Sequence, residues 1–152
     1  MAKSTVRFES STVIRRPVGE VFDRLADLQG YGGWMHRTGL FRECRLTSEP
    51  PVRQGTTYVD STRMGRFHGE VTEFLPPTRI AFTETLRWFR APMSQARPEY
   101  VLEGDESATT VHHVAVGELY GWMKLMKPAA AWMASRERTS TLDSLKRSLE
   151  SG

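Results

Sequence analysis

Hydrophobic positions recur along this chain with two different periods, and the switch between them divides it. Over residues 5–14, TVRFESSTVI, Val6 and Phe8 alternate with Arg7 and Glu9, the period of two expected of a half-buried strand. Arg16-Pro17 stops that strand, and Pro17 suits the first turn of a helix. Val18, Val21, Phe22, Leu25 and Leu28 then recur at steps of three and four, an apolar helical stripe that ends near Gly30. GYGGWMHRTG follows, too irregular for a long element. From there short strands are predicted over 41–47, 56–64, 66–75, 79–89, 96–104 and 108–119. Glu49-Pro50-Pro51, Gln54-Gly55, Gly65, Pro76-Pro77, a loop holding Pro92 and Pro98, and Asp105-Glu106-Ser107 separate them.

Past Pro128 the chain has neither glycine nor proline until its final residue. Trp132, Ser135, Thr139, Leu142, Leu145 and Leu149 share one helical face on this reading, and Arg136, Glu137, Asp143, Lys146, Arg147 and Glu150 fall mainly on the other. About seven strands, a helical region after the first and a long helix at the end give no strand–helix alternation. The pattern predicts an α+β fold, with an antiparallel sheet against which the final helix lies.

Composition narrows the function classes. The 152 residues suit one domain, 1–152, with a real core. The longest apolar run, Ala129 to Ala134, falls far short of the roughly 18–20 residues of a membrane span, so no integral membrane association is expected. MAKSTVRFES has no apolar export segment, which makes the cytoplasm the expected location. A single cysteine, Cys44, excludes an internal disulfide and argues against a cysteine-built zinc site. Twenty-one basic and 18 acidic residues are interspersed, with no basic stripe carrying interleaved aromatics, so nucleic acid is not an expected partner.

The order β-αα-β6-α resembles the START-like helix-grip superfamily (SRPBCC), specifically its polyketide cyclase/dehydrase and coenzyme Q-binding-like branch. The resemblance spans nearly the whole chain. It is carried by TVIRRPVGEVFDRLADLQGYGGWM, with Pro17, Val21, Phe22, Leu25, Asp27, Leu28, Tyr31 and Trp34 at the family's spacing. Gly55, GEVTEFLPPTRIAF, ATTV at 108–111 and Pro128 before the closing leucines match as well. Where the family often has a proline shortly after the Trp34 position, this chain has Met35-His36. The resemblance implies a helix-grip fold, a curved sheet of about seven strands wrapped around the C-terminal helix, with a cavity between them. It does not specify a reaction, because the superfamily mixes carriers, cyclases and proteins of unassigned role.

The residues bear on that cavity independently. A solidly packed interior calls for Leu, Ile and Phe along the whole helix face, yet the first half offers Trp132, Ser135 and Thr139, whose hydroxyls need partners in a dry core. On the strands Tyr58, Thr62, Phe67, Phe82, Tyr100 and His112 are the facing candidates. In GYGGWMH two readings stay open: a gate whose Trp34 and Met35 touch ligand, or a plug at one end of the core. His112 and His113 are adjacent in a strand and point to opposite faces; alternation with Val114 and Val116 favours His112 as the inward one, a weak candidate for moving a proton. No HExxH, paired Cys/His or GxSxG spacing is present, so neither a metal nor a cofactor is expected. Glu70, Glu73, Glu84, Glu99 and Asp60 fall in strands, and any one facing the cavity would have its pKa raised by burial and become a candidate acid. LRWFRAPM, with Trp88 and Phe89, and LYGWMKLMK, with Trp122, are open to use as cavity rim, membrane contact, partner surface or homodimer interface.

The expected function is therefore binding of a hydrophobic, aromatic or lipid-like small molecule. Ligand contacts are expected from Trp34, Met35, Tyr58, Phe67, Phe82, Tyr100, His112, Trp132, Ser135 and Thr139. A polyketide cyclase or dehydratase using the same cavity, or a partner-binding member of a larger assembly, are the alternatives.

Overall fold

The computed structural model describes residues 4–35, 41–62, 65–88 and 90–151. Strand β1 (Ser4–Ile14) leads into helix α1 (Val18–Ala26) and a 3₁₀ turn (Leu28–Gly33). Six strands follow: β2 (Phe41–Leu46), β3 (Thr57–Thr62), β4 (Gly65–Leu75), β5 (Arg79–Trp88), β6 (Ala91–Gly104) and β7 (Thr109–Leu119). A second 3₁₀ segment (Gly121–Met126) then hands the chain to helix α2 (Lys127–Glu150). The seven strands make one sheet in the order β1-β7-β6-β5-β4-β3-β2, with every neighbouring pair antiparallel. Register shifts in the β2–β3, β4–β5 and β5–β6 pairs put bulges into the sheet, the device by which a strand bends and a sheet curls.

Strand β6 starts earlier than the prolines at 92 and 98 suggest. Its pairing to β7 runs unbroken through Pro98↔Ala115. On the β5 side the register steps from Ala81↔Glu99 to Glu84↔Ala96, so Pro98, which has no N–H to donate, sits in the gap.

The core lies between the concave face of the sheet and the two helices. Ile14, Val21, Phe22, Leu25, Leu102, Val111, Leu142, Leu145 and Leu149 pack in it with almost no exposure. The C-terminal half of α2 is pinned there by polar ties as well. Arg16 Nε donates to the Leu149 carbonyl at 2.7 Å and Arg24 Nη1 to Ser148 Oγ at 2.8 Å. The Arg15 backbone N–H donates to Glu150 Oε2 at 2.8 Å. The N-terminal half of α2 has no comparable set of leucines, and there the helix and sheet part.

The inward face of α2 differs from the one predicted. Trp132 is 62 % exposed, and Ser135 and Thr139 are exposed too. Leu145 is fully buried, and at about 100° per residue Trp132 lies about 140° around the helix from it. The face centred on Leu145 instead carries Ala130, Arg138 and Thr141 toward the sheet. Trp132 is accommodated outside, with the Arg136 guanidinium 5.4 Å from its ring centre.

Candidate functional site

Where helix and sheet part, a cavity of about 270 Å³ remains. Leu28, Tyr31 and Met35 close one end, Met123, Ala130, Arg138 and Thr141 supply the helical wall, and the concave face of β3–β6 with Leu119 of β7 supplies the rest. Strand alternation decides which side chains reach it. From β3 come Tyr58, Asp60 and Thr62, from β4 Phe67, from β5 Phe82, Glu84 and Leu86, and from β6 Ser94, Ala96, Pro98 and Tyr100. Most of this surface is apolar and aromatic; Tyr58 packs edge-on against Phe82, and Phe82 edge-on against Tyr100.

Within that wall sits one polar cluster, built around a glycine. Gly69 on β4 pairs with Tyr58 on one side and with Glu84 on the other. A Cβ at Gly69 would stand 2.2 Å from Tyr58 Cζ, so only glycine lets the Tyr58 ring lie across β4. From that position the Tyr58 hydroxyl donates to Glu84 Oε2 at 2.8 Å. Arg138 Nη2 approaches the other oxygen, Oε1, at 3.9 Å, and its charge also acts on the Tyr100 hydroxyl. Asp60 is placed where Glu84 and the Cys44 thiol both act on its carboxyl group, while its own Oδ1 is buried without a partner among the described residues.

Two carboxyl groups in contact cannot both ionise away from water. Burial first and then the charge of Glu84 raise the Asp60 pKa to about 9. Asp60 is thus a neutral carboxylic acid at physiological pH, the state that allows it to donate a hydrogen bond. Burial likewise raises the Tyr100 hydroxyl to about 12, against the opposing pull of Arg138, and pushes Tyr31 and Tyr58 well above their ordinary value. The Cys44 thiol, held up chiefly by burial and then by Asp60, stays protonated and is no nucleophile.

The sequence-predicted residues divide into three groups. Met35, Tyr58, Phe67, Phe82 and Tyr100 line the cavity. Trp34 is buried beside Tyr31, ring centres 5.1 Å apart, in the core rather than on the cavity wall. Trp132, Ser135 and Thr139 point away, for the helical reason given above, and His112 is exposed.

The inward histidine is His113. In β7 the buried positions are Val111, His113 and Ala115, so Val114 and Val116 share the opposite face with His112, and their apolar character does not mark the core side. The ring of His113 stacks on Tyr100 at 4.2 Å, and its Nδ1 lies 2.9 Å from the Glu99 carbonyl. Burial, and then Arg138, lower its pKa to about 3, so it supports Tyr100 as a neutral ring. Of the aromatic patches, Trp122, Leu125 and Met126 are exposed, while Phe89 and His36 lie outside the described residues. The sequence names Asp60 and Glu84 only within a set of strand carboxylates of undetermined facing, and it does not point to Arg138. The signal for them is the alternation Tyr58-Asp60-Thr62 and Phe82-Glu84-Leu86, which carries the carboxylates inward once the aromatics are inward.

Among the described residues no helix is long and apolar enough to cross a membrane, and no group of three or more His, Cys, Asp or Glu is placed to hold a metal ion. A family model described as polyketide cyclase / dehydrase and lipid transport matches residues 5–150. No curated protein matches the chain. Solved structures do. A START superfamily protein from Mycobacterium smegmatis aligns at 9 % identity and a TM-score of 0.75, over 95 % of this chain and 97 % of its own. A point mutant of norcoclaurine synthase from Thalictrum flavum, in complex with a transition-state analogue, aligns at 5 % identity and a TM-score of 0.73, over 99 % and 98 %. Hypothetical protein jhp0584 from Helicobacter pylori aligns at 14 % identity and a TM-score of 0.75, over 96 % and 88 %. At these identities the likeness is one of fold.

Proposed function

The chain belongs to the polyketide cyclase/dehydrase and lipid transport family, and we propose that it binds a small, mostly apolar molecule that presents a hydrogen-bond acceptor to Asp60. The observation that carries this reading is the lining of the cavity: a mostly aromatic and aliphatic wall that also carries the Asp60–Glu84–Arg138 cluster and the hydroxyls of Thr62, Ser94 and Thr141. Ligand pockets have this make-up, apolar surface for affinity and a few convergent polar groups for orientation. About 270 Å³ suits a compound of one or two rings. Each Å² of apolar surface withdrawn from water contributes about 25 cal/mol. The neutral Asp60 acid is matched to a carbonyl or other uncharged acceptor, since a second anion beside Glu84 would be repelled.

The test is a titration with 2-tetralone, a bicyclic ketone, followed by intrinsic fluorescence. Saturable binding is expected in the wild-type protein. Ala96 lines the cavity, and Ala96→Phe fills it, so that variant should lose binding while keeping its circular dichroism spectrum. Equal affinity in the two proteins would refute the cavity as the binding site.

A further inference from the structure

We propose that Asp60 and Glu84 form a proton-sharing pair that catalyses keto–enol proton transfer on an enolisable carbonyl compound held in the cavity, an inference that rests on the binding reading above. Both carboxyl groups line the same cavity, close enough that the charge of Glu84 bears directly on the proton of Asp60. Their surroundings are unequal. Glu84 is met by the Tyr58 hydroxyl at 2.8 Å and by the Arg138 guanidinium at 3.9 Å. Asp60 has the Cys44 thiol nearby and one buried oxygen without a partner among the described residues. The negative charge therefore rests on Glu84 and the proton on Asp60, which puts a base and an acid side by side at neutral pH. A carboxyl held in its acid form beside a second, cation-flanked carboxyl is the pattern by which acid and base roles are assigned. A site that only had to orient a ligand needs one donor. A second carboxyl in contact with the first adds a new capacity only when protons move between them.

The step balances without a co-reactant. A Glu84 oxygen takes the proton from the carbon next to the carbonyl, and the C–H electron pair becomes the carbon–carbon π bond. The carbonyl π pair moves onto oxygen, which takes the proton of Asp60. The pair is left with its proton on Glu84 and its charge on Asp60, and proton transfer between them restores the starting state. Reprotonation at the same carbon gives exchange, and reprotonation at a conjugated carbon gives double-bond isomerisation.

The test uses the intact protein and 2-tetralone in D₂O, with deuterium incorporation beside the carbonyl followed by NMR and binding followed by fluorescence. Exchange is expected to exceed the buffer rate by roughly 100-fold or more, the scale of general acid–base catalysis. Asp60→Asn and Glu84→Gln should each lower it at least tenfold when the rates are compared at saturating 2-tetralone. Saturable binding with exchange at the buffer rate would overturn this proposal and leave the binding reading standing, whereas no saturable binding overturns both. Undiminished exchange in both folded variants would remove the assignment to this pair. Should a variant not fold, the wild-type pH profile decides. The enzymic rate, corrected for buffer, should fall as pH rises through about 9, where Asp60 loses its proton, and a rate that keeps rising there overturns the proposal.

Discussion

Replacing Asp60 by Asn should make the protein more stable at neutral pH, and the size of the effect follows from the cluster. A free aspartate has a pKa near 3.8, whereas in the folded chain burial and Glu84 raise it to about 9. Between those values the folded state holds a proton that the unfolded state has released. The contribution of Asp60 to stability is therefore fully present below pH 3.8 and is lost steadily as pH rises toward 9. At pH 7 the proton must be taken up against a gap of about three pKa units, which costs about 4 kcal/mol at 1.36 kcal/mol per unit. Asn is neutral at every pH and close in shape. Its substitution removes that cost and sacrifices a hydrogen bond worth about 1 kcal/mol, leaving a net gain of roughly 3 kcal/mol at pH 7. Urea denaturation at pH 4.5, 7 and 8.5 checks it: Asp60→Asn should be near wild type at the lowest pH and increasingly more stable above. A variant no more stable than wild type at pH 7, with the same pH dependence, would show that Asp60 is an ordinary ionised carboxylate and that the shared-proton description is wrong.

The other expectations are shorter. Gly69→Ala puts a Cβ against the Tyr58 ring, 2.2 Å from Cζ; because Tyr58 is 2 % exposed, the ring has little room, and a loss of about 1–3 kcal/mol is expected in thermal or urea unfolding. His113, lowered to about 3 by burial and then Arg138, should show imidazole chemical shifts that stay flat from pH 7.5 to 5. Its contribution to stability is present above pH 6.5 and is lost as pH falls toward 3. Leu145→Ala, at a position with no exposure, should cost about 2–5 kcal/mol. Trp132→Ala, at 62 % exposure, should cost less than about 1 kcal/mol by the same measurement, and a larger loss would contradict the orientation of α2.

Much of the fold is legible in the chain because its signals are local. The period of two, the proline and glycine turns and the long glycine-free run to the C-terminus each act over a few residues, and the seven strands and both helices sit where those signals place them. Proline misled at one place. Read as a breaker, Pro92 shortened β6, yet the strand carries it near its start, where it pairs with β5 alone and the ladder to β7 has not begun. Helical facing was harder. Trp132, Ser135 and Thr139 satisfy the same three-four spacing as the leucines, and spacing alone leaves the centre of the stripe free to shift by a residue or two. The ties of Arg15, Arg16 and Arg24 to the end of α2 lock its rotation, and these are contacts across more than 120 positions of sequence.

The polar cluster was illegible for a related reason, and that reason bears on its use. Aspartate and glutamate in strands are ordinarily solvent-facing because burying a carboxylate is costly, so the sequence offers Asp60 and Glu84 only as two of five strand carboxylates, any of which could face inward. What overrides that cost here is the company of each residue. Tyr58 and Phe82 are large aromatics that take the concave face, and strict alternation then carries Asp60 and Glu84 to the same face two positions on. The sheet thus positions both carboxyls by backbone geometry, whatever they cost. Arg138 comes from α2 at the other end of the chain and offsets one negative charge only. Among the described residues one counterion meets two carboxyls, which forces a single shared proton, and that shortage, more than the cavity itself, separates this site from a plain hydrophobic pocket. Supplying a second cation is the direct perturbation. Thr62→Lys, on the same face of β3 and on the cavity wall, should let Asp60 ionise and draw its pKa down from about 9. It should also abolish the pH dependence that distinguishes wild type from Asp60→Asn in urea. Were the lysine variant to keep the wild-type pH dependence, charge balance would not be what sets the state of the pair.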